Sequence, residues 1–240
     1  MLNERLTSAL TRFSPVSQLS ATLVLGVFLV IAVGSLFVGV NVQALGFALL
    51  SYLIGSLLAL ALMRGGYPHS LLGKGNLVTL FRLSVVAALL APVIGNKLPW
   101  LLVFLAVGLL VLDGVDGRLA RSEGRVSEFG ARLDMEVDSI FSVVLALNAW
   151  AAGLTGIWVL LLAMPRYLFV AASWFLPWLN RPLPQSLARR VICVVQVACL
   201  IGLNAPIFPG WIIFLIAALA AGLLIWSFGR DILWLWRNRA

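Results

Sequence analysis

Residues 113–138 read DGVDGRLARSEGRVSEFGARLDMEVD, and they hold seven of the chain's nine carboxylates. Asp113 and Asp116 stand three apart, and Gly117, Ala120 and Arg121 follow at spacings that share one helical face with them. Ser122 and Gly124 mark a turn. A second helix then places Gly130, Asp134 and Asp138 on one stripe at steps of four. Two such helices running in opposite directions can gather all four aspartates.

The sequence around this stretch explains why such a gathering matters. The 240-residue chain is 62% hydrophobic and only 11% charged, with a mean hydropathy of +1.07, as expected of a protein that crosses a membrane several times. Apolar runs long enough to cross a bilayer core recur near 20–40, 43–63, 76–94, 98–113, 130–152, 155–178, 190–204 and 209–229. The expected fold is an all-α polytopic bundle of about eight transmembrane helices, the fourth running on through the acidic segment. The first run is too long for the core of a signal peptide and is expected to be retained. A connector, RGGYPHSLLGKG (64–75), divides an accessory hairpin at 1–63 from a six-helix catalytic body at 64–240. Small residues such as Ala217, Ala220 and Gly222 permit close packing of helices, including between subunits.

Orientation follows from the basic residues. A cytoplasmic N-terminus puts Arg5, Arg12, Arg64, Lys74, Arg118, Arg121, Arg125, Arg181, Arg189, Arg190, Arg230, Arg237 and Arg239 on the inner side and Lys97 in an outer loop. The acidic segment then faces the cytoplasm from the inner membrane. The net charge of +8 fits this bias and attraction to anionic lipid headgroups, and needs no nucleic acid. Cys193 and Cys199 share one apolar helix on different faces and are expected to pack rather than to pair. His69, in the connector, is expected to be a solvated residue.

Charged side chains at membrane depth are costly unless they are paired, bind metal or meet water. Oxygen-only ligands favour Mg²⁺ or Mn²⁺, hard cations that also accept phosphate oxygens. Four aspartates in a partly dry pocket call for about two such ions, an arrangement suited to phosphoryl transfer. Three other readings stay open. Arg118, Arg121, Arg125 and Arg132 could neutralise the acids in a solvated hairpin, although both acidic stripes continue into apolar helices. A cation transporter would place polar groups near the middle of several helices, whereas these cluster at one end of two. The third is a protein that keeps this acidic arrangement but has lost activity.

The segment resembles the signature of the CDP-alcohol phosphotransferase family, D-x-x-D-G-x-x-A-R, eight residues, then G-x-x-x-D-x-x-x-D. Asp113, Asp116, Gly117, Ala120, Arg121, Gly130, Asp134 and Asp138 fill its eight fixed positions. GNLVTLFR (75–82) is similar to the family's first core helix, with Gly75 in place of the usual proline and with Asn76 and Thr79 kept. The resemblance implies attack of an alcohol on a CDP-activated lipid such as CDP-diacylglycerol, with release of CMP. It implies that Asp113, Asp116 and Asp134 bind metal, and that Asp138 both contacts metal and acts as base. Gly117, Ala120 and Gly130 would admit the nucleotide, and Asn76, Thr79 and Arg121 would hold it. Family members are often homodimers.

The acceptor is less defined. Arg166 lies inside the sixth apolar run and Arg190 opens the seventh. Family members that use phosphorylated acceptors resemble this pattern, but with a Glu where Tyr167 stands and often a Lys where Ile192 stands. The expectation is a basic pocket for a phosphorylated alcohol. The alternatives are an unphosphorylated acceptor such as serine, choline or ethanolamine, with Arg189 and Arg190 only orienting the protein and Arg166 pairing with the acidic site.

Overall fold

A computed structural model describes residues 14–95, 98–181 and 186–238. Arg5, Arg12, Lys97 and Arg239, used above for orientation, lie outside the described residues. Each of the eight apolar runs is helical, as a backbone without water must be to satisfy its own polar groups. The helices are α1 (Pro15–Val38), α2 (Val42–Arg64), α3 (Lys74–Ala88) with a short α4 (Ala91–Ile94), α5 (Pro99–Ser122), α6 (Glu128–Ala151), α7 (Leu160–Ala163), α8 (Pro165–Phe175), α9 (Leu187–Leu203) and α10 (Gly210–Arg237). Among the described residues no strand occurs.

Five of these stretches are long and apolar enough to cross a membrane: α1, α2, Lys74–Ile94, α5 and α10. The pair Ile157–Ala163 and Pro165–Phe175 makes a sixth if counted as one broken span. The other two of the eight expected spans are α6, whose first half carries Glu128, Arg132, Asp134, Glu136 and Asp138, and the 17-residue α9. The run at 155–178, expected as one helix, is bent by 70°. Pro165 explains the break, because it lacks the N–H a continuous helix would need there. Beside the break, the Leu162 carbonyl accepts Gln196 Nε2 at 2.5 Å.

The described residues divide into two compact units. The first comprises those up to Leu98 together with Val111–Ile140. Here α1 packs on α2 and α3, and α2 on α3. Tyr52 crosses this packing to donate to the Leu23 carbonyl at 2.9 Å, and only a glycine at 26 leaves its hydroxyl room. Short polar side chains set the helix starts: Ser14 accepts from the N–H of Ser17, Asn41 from Ala44 and Ser127 from Gly130, the usual N-cap pattern. Gly124 turns the chain between α5 and α6 with φ of +63°, a conformation that glycine adopts freely.

The second unit comprises Pro99–Leu110 and residues from Phe141 onward. In it α9 packs along α10, and Asn204 ties the end of α9 to the Leu145 carbonyl at 3.1 Å.

Candidate metal centre

All four aspartates of the acidic segment lie in the first unit, and they converge on one side chain, Arg82. This residue sits on α3 six residues beyond Asn76, with Thr79 midway between them. Its side chain is 1% exposed. Nη1 reaches Asp116 Oδ2 at 2.5 Å and Asp134 Oδ1 at 2.9 Å. Nη2 reaches Asp113 Oδ1 at 3.0 Å and also bonds Asp138 Oδ1. Charge-assisted bonds from a planar guanidinium are strong and directional, which is how one cation can keep four like charges in place. Thr79 joins them, donating to Asp116 Oδ2 at 3.3 Å.

Asp113, Asp116 and Asp134 each offer one oxygen, and these lie within 4.8 Å of one another. The donor set is made of hard carboxylate oxygens and fits a divalent cation of the Mg²⁺ or Mn²⁺ kind. Access differs among the acids. Asp116 is buried, with 3% of its side chain exposed, while Asp113, Asp134 and Asp138 show 30, 35 and 42%. Asp138 is therefore the carboxylate that a molecule arriving from outside meets most readily.

Two residues expected to clear space for a nucleotide also hold helices close. A Cβ on Gly130 would stand 2.6 Å from Asn76 Oδ1. Asn76 itself donates to the Leu72 carbonyl at 2.5 Å and to the Tyr67 hydroxyl at 3.1 Å. Ala120 lies against Gly75, where a Cβ would come within 3.0 Å of the alanine Cβ and 2.8 Å of the Asp116 carbonyl oxygen. Gly117 donates its backbone N–H to Asp116 Oδ1 at 2.7 Å, and the exposed Arg121 guanidinium lies beside it. The connector docks on the same region. Tyr67 meets the rings of Phe129 and His69 edge-on, and His69 Nε2 lies 3.4 Å from the Val126 carbonyl oxygen. His69 is thus half-buried and engaged rather than simply solvated.

Sequence reasoning gave Arg82 no role. The signal was present: a single charge in an otherwise apolar run, the feature that drew attention to Arg166. The local partners considered for the aspartates are engaged elsewhere in two cases, Arg125 with Glu123 and Arg132 with Glu128. Arg166 and Arg190 belong to the second unit. Arg166 is half-buried at the start of α8, and Arg190 is exposed on α9. Its neighbour Arg189 makes the ion pair there, with Asp231 at 2.8 Å.

Apolar helices around a cluster of aspartates that could bind a metal define an integral membrane protein with a candidate metal centre. The family model for CDP-alcohol phosphatidyltransferase matches residues 74–226, more than half of the chain, and the chain belongs to that family. Membership implies transfer of a phosphatidyl group from a CDP-alcohol. No curated protein and no solved structure matches the chain.

Proposed function

We propose that this protein transfers a phosphatidyl group from a CDP-activated lipid such as CDP-diacylglycerol to a small alcohol, with Asp138 as the base. The observation that carries this reading is the convergence of Asp113, Asp116, Asp134 and Asp138 on one point within the family-matched segment. When bound, about two Mg²⁺ or Mn²⁺ ions would neutralise charge on the diphosphate and on the leaving phosphate. Asp113, Asp116 and Asp134 would hold them, together with Asp138. Asp138, the most exposed of the four, accepts the acceptor's hydroxyl proton as its oxygen attacks the lipid-bearing phosphorus. One P–O bond forms, the P–O bond to CMP breaks, and CMP leaves with the electron pair. Asn76, Thr79 and Arg121 hold the nucleotide, Gly117, Ala120 and Gly130 admit it, and Thr79 also braces Asp116.

The acceptor we infer is a phosphorylated alcohol, such as a glycerol phosphate or inositol phosphate, held by Arg166 and Arg190. A guanidinium suits phosphate through its planar fork of donors. The acidic site faces the cytoplasm at the inner membrane, in line with the positive-inside bias. Residues 64–240 form the catalytic body and 1–63 an accessory hairpin, a division supported by the start of the family match at residue 74.

The test is CMP release from CDP-diacylglycerol by the purified protein with a panel of alcohols. Divalent-dependent turnover that Asp138→Asn nearly abolishes is expected. Full activity in that variant would exclude Asp138 as the base, and preference for free serine or choline would exclude the phosphorylated acceptor.

A further inference from the structure

A guanidinium inside a membrane-spanning helix is costly, and such residues mark function more often than packing. Arg82 is 1% exposed, gives its two Nη groups to four different carboxylates, and still has a buried Nε with no hydrogen-bond partner. A buried donor left unpaired is a cost that packing alone would not select. Its helix is anchored twice at its start. The start of α3 is held by Glu123, which accepts the Lys74 N–H at 2.8 Å, and Gly75 brings α3 against the backbone of α5. A guanidinium cannot shed its proton in a protein, so Arg82 remains a cation whatever else enters the site.

Formal charges show what this does. Four carboxylates and one guanidinium sum to −4 + 1 = −3. One divalent ion leaves −1, which repels a nucleotide diphosphate, and two leave +1, which attracts it. Without Arg82 the same two ions would reach only zero. A carboxylate has two oxygens, so one acid can serve the guanidinium and an ion together.

We propose that Arg82 is a resident cation of the metal site, staying among the aspartates when divalent ions bind, weakening their binding and leaving the loaded site positive enough to hold a diphosphate. This rests on the metal-dependent reading above. It makes Arg82 a positioning and charge-setting residue rather than a catalytic one.

The experiment uses the full-length protein in detergent, native and as Arg82→Gln and Arg82→Lys. Mn²⁺ binding is followed by electron paramagnetic resonance, and CDP binding at saturating Mn²⁺ by calorimetry. Arg82→Gln should bind Mn²⁺ about tenfold more tightly and CDP about tenfold more weakly, since a full charge is removed at contact distance. Arg82→Lys, which keeps the charge, should stay within about threefold of native for both. Folded Arg82→Gln protein that binds Mn²⁺ no better than native would overturn the proposal. If the Gln variant does not fold, Arg82→Lys decides: native-like CDP binding supports the proposal, and about a tenfold loss overturns it. A native protein that binds no Mn²⁺ would instead remove the metal-dependent reading itself.

Discussion

Glu123 caps the helix that starts at Lys74: its Oε2 accepts the Lys74 backbone N–H at 2.8 Å. Gly73 precedes that helix and offers no side chain of its own for the purpose. The turn between the two acid-bearing helices thus holds the helix that carries Arg82, which keeps the cation in register with its four acids.

Glu123→Ala should lower stability in detergent by about 1–2 kcal/mol, the usual worth of a lost N-cap with its charge at the positive end of the helix dipole. Glu123→Gln keeps an acceptor and should lose about half as much. Lys74 Nζ lies 3.7 Å from the same carboxylate, but its side chain is 73% exposed, so Lys74→Ala should be close to neutral. Thermal unfolding of the three variants separates cap from ion pair. An equal loss in Lys74→Ala would show that the surface pair, not the cap, carries the effect.

Gly75→Ala should be costly. The added methyl would stand 2.8 Å from the Asp116 carbonyl oxygen, and a backbone atom cannot swing aside as a side-chain tip can. The overpacking cost is about 1–3 kcal/mol, and because Asp116 moves with that carbonyl, Mn²⁺ affinity should fall as well. Gly108→Ala, where no atom lies within 4 Å of the new methyl, should lose nothing. Unfolding and Mn²⁺ titrations on both variants check the contrast.

Much of this was legible in the chain. The helices could be read from apolar length, and the convergence of Asp113, Asp116, Asp134 and Asp138 from spacings of three and four across one turn. Those rules are local. Arg82 bonds to Asp116 and Asp138 across 34 and 56 residues, and no local spacing connects them. Reasoning from neighbours could offer only Arg118, Arg121, Arg125 and Arg132 as countercharges, and of these Arg125 and Arg132 pair with glutamates instead. The bend at Pro165 was legible in principle, since a proline inside a helical run removes a bond. The bond that Gln196 makes beside it was not, because that needs the position of a different helix. Small residues have a second side that spacing does not show. Ala120 and Gly130 read as space for a ligand, and both also meet α3 at close range.

Alkaline pH gives a separate check on the connector. Tyr67 donates to the Leu72 carbonyl at 2.7 Å and accepts from Asn76 at 3.1 Å, and burial pushes its phenol above the ordinary value of 10. The folded state then holds the proton more tightly than the unfolded state. Stability from this group is complete below pH 10 and is lost as pH rises through the raised folded value. Tyr67→Phe should cost about 0.5–1.5 kcal/mol near neutral pH. Its deficit relative to the native protein should shrink above pH 10, where the native phenol begins to lose its advantage. Denaturation series at pH 8 and pH 11 measure that difference, and a deficit constant across the range would count against the phenol.

Asp231 is the second buried carboxylate of consequence, and it orders the basic face of the second unit. It is 8% exposed, accepts Arg189 Nε at 2.8 Å and lies 3.5 Å from Arg230 Nη2. Arg230 also donates to Ser186 Oγ at 2.9 Å, so the start of α9 and the end of α10 share one network. Asp231→Ala removes the acid that Arg189 and Arg230 share, and both arginines are about a third exposed, which lets water take over part of the lost interaction. A loss of about 1.5–3 kcal/mol follows, the range for a hydrogen bond to a charged group. Asp231→Asn keeps the shape and one acceptor and should lose less. If the pair itself is what stabilises, Arg189→Gln combined with Asp231→Asn should lose less than the two single changes added together, as residues in contact do. Strict additivity in unfolding measurements on the four proteins would show that Arg189 and Asp231 act separately.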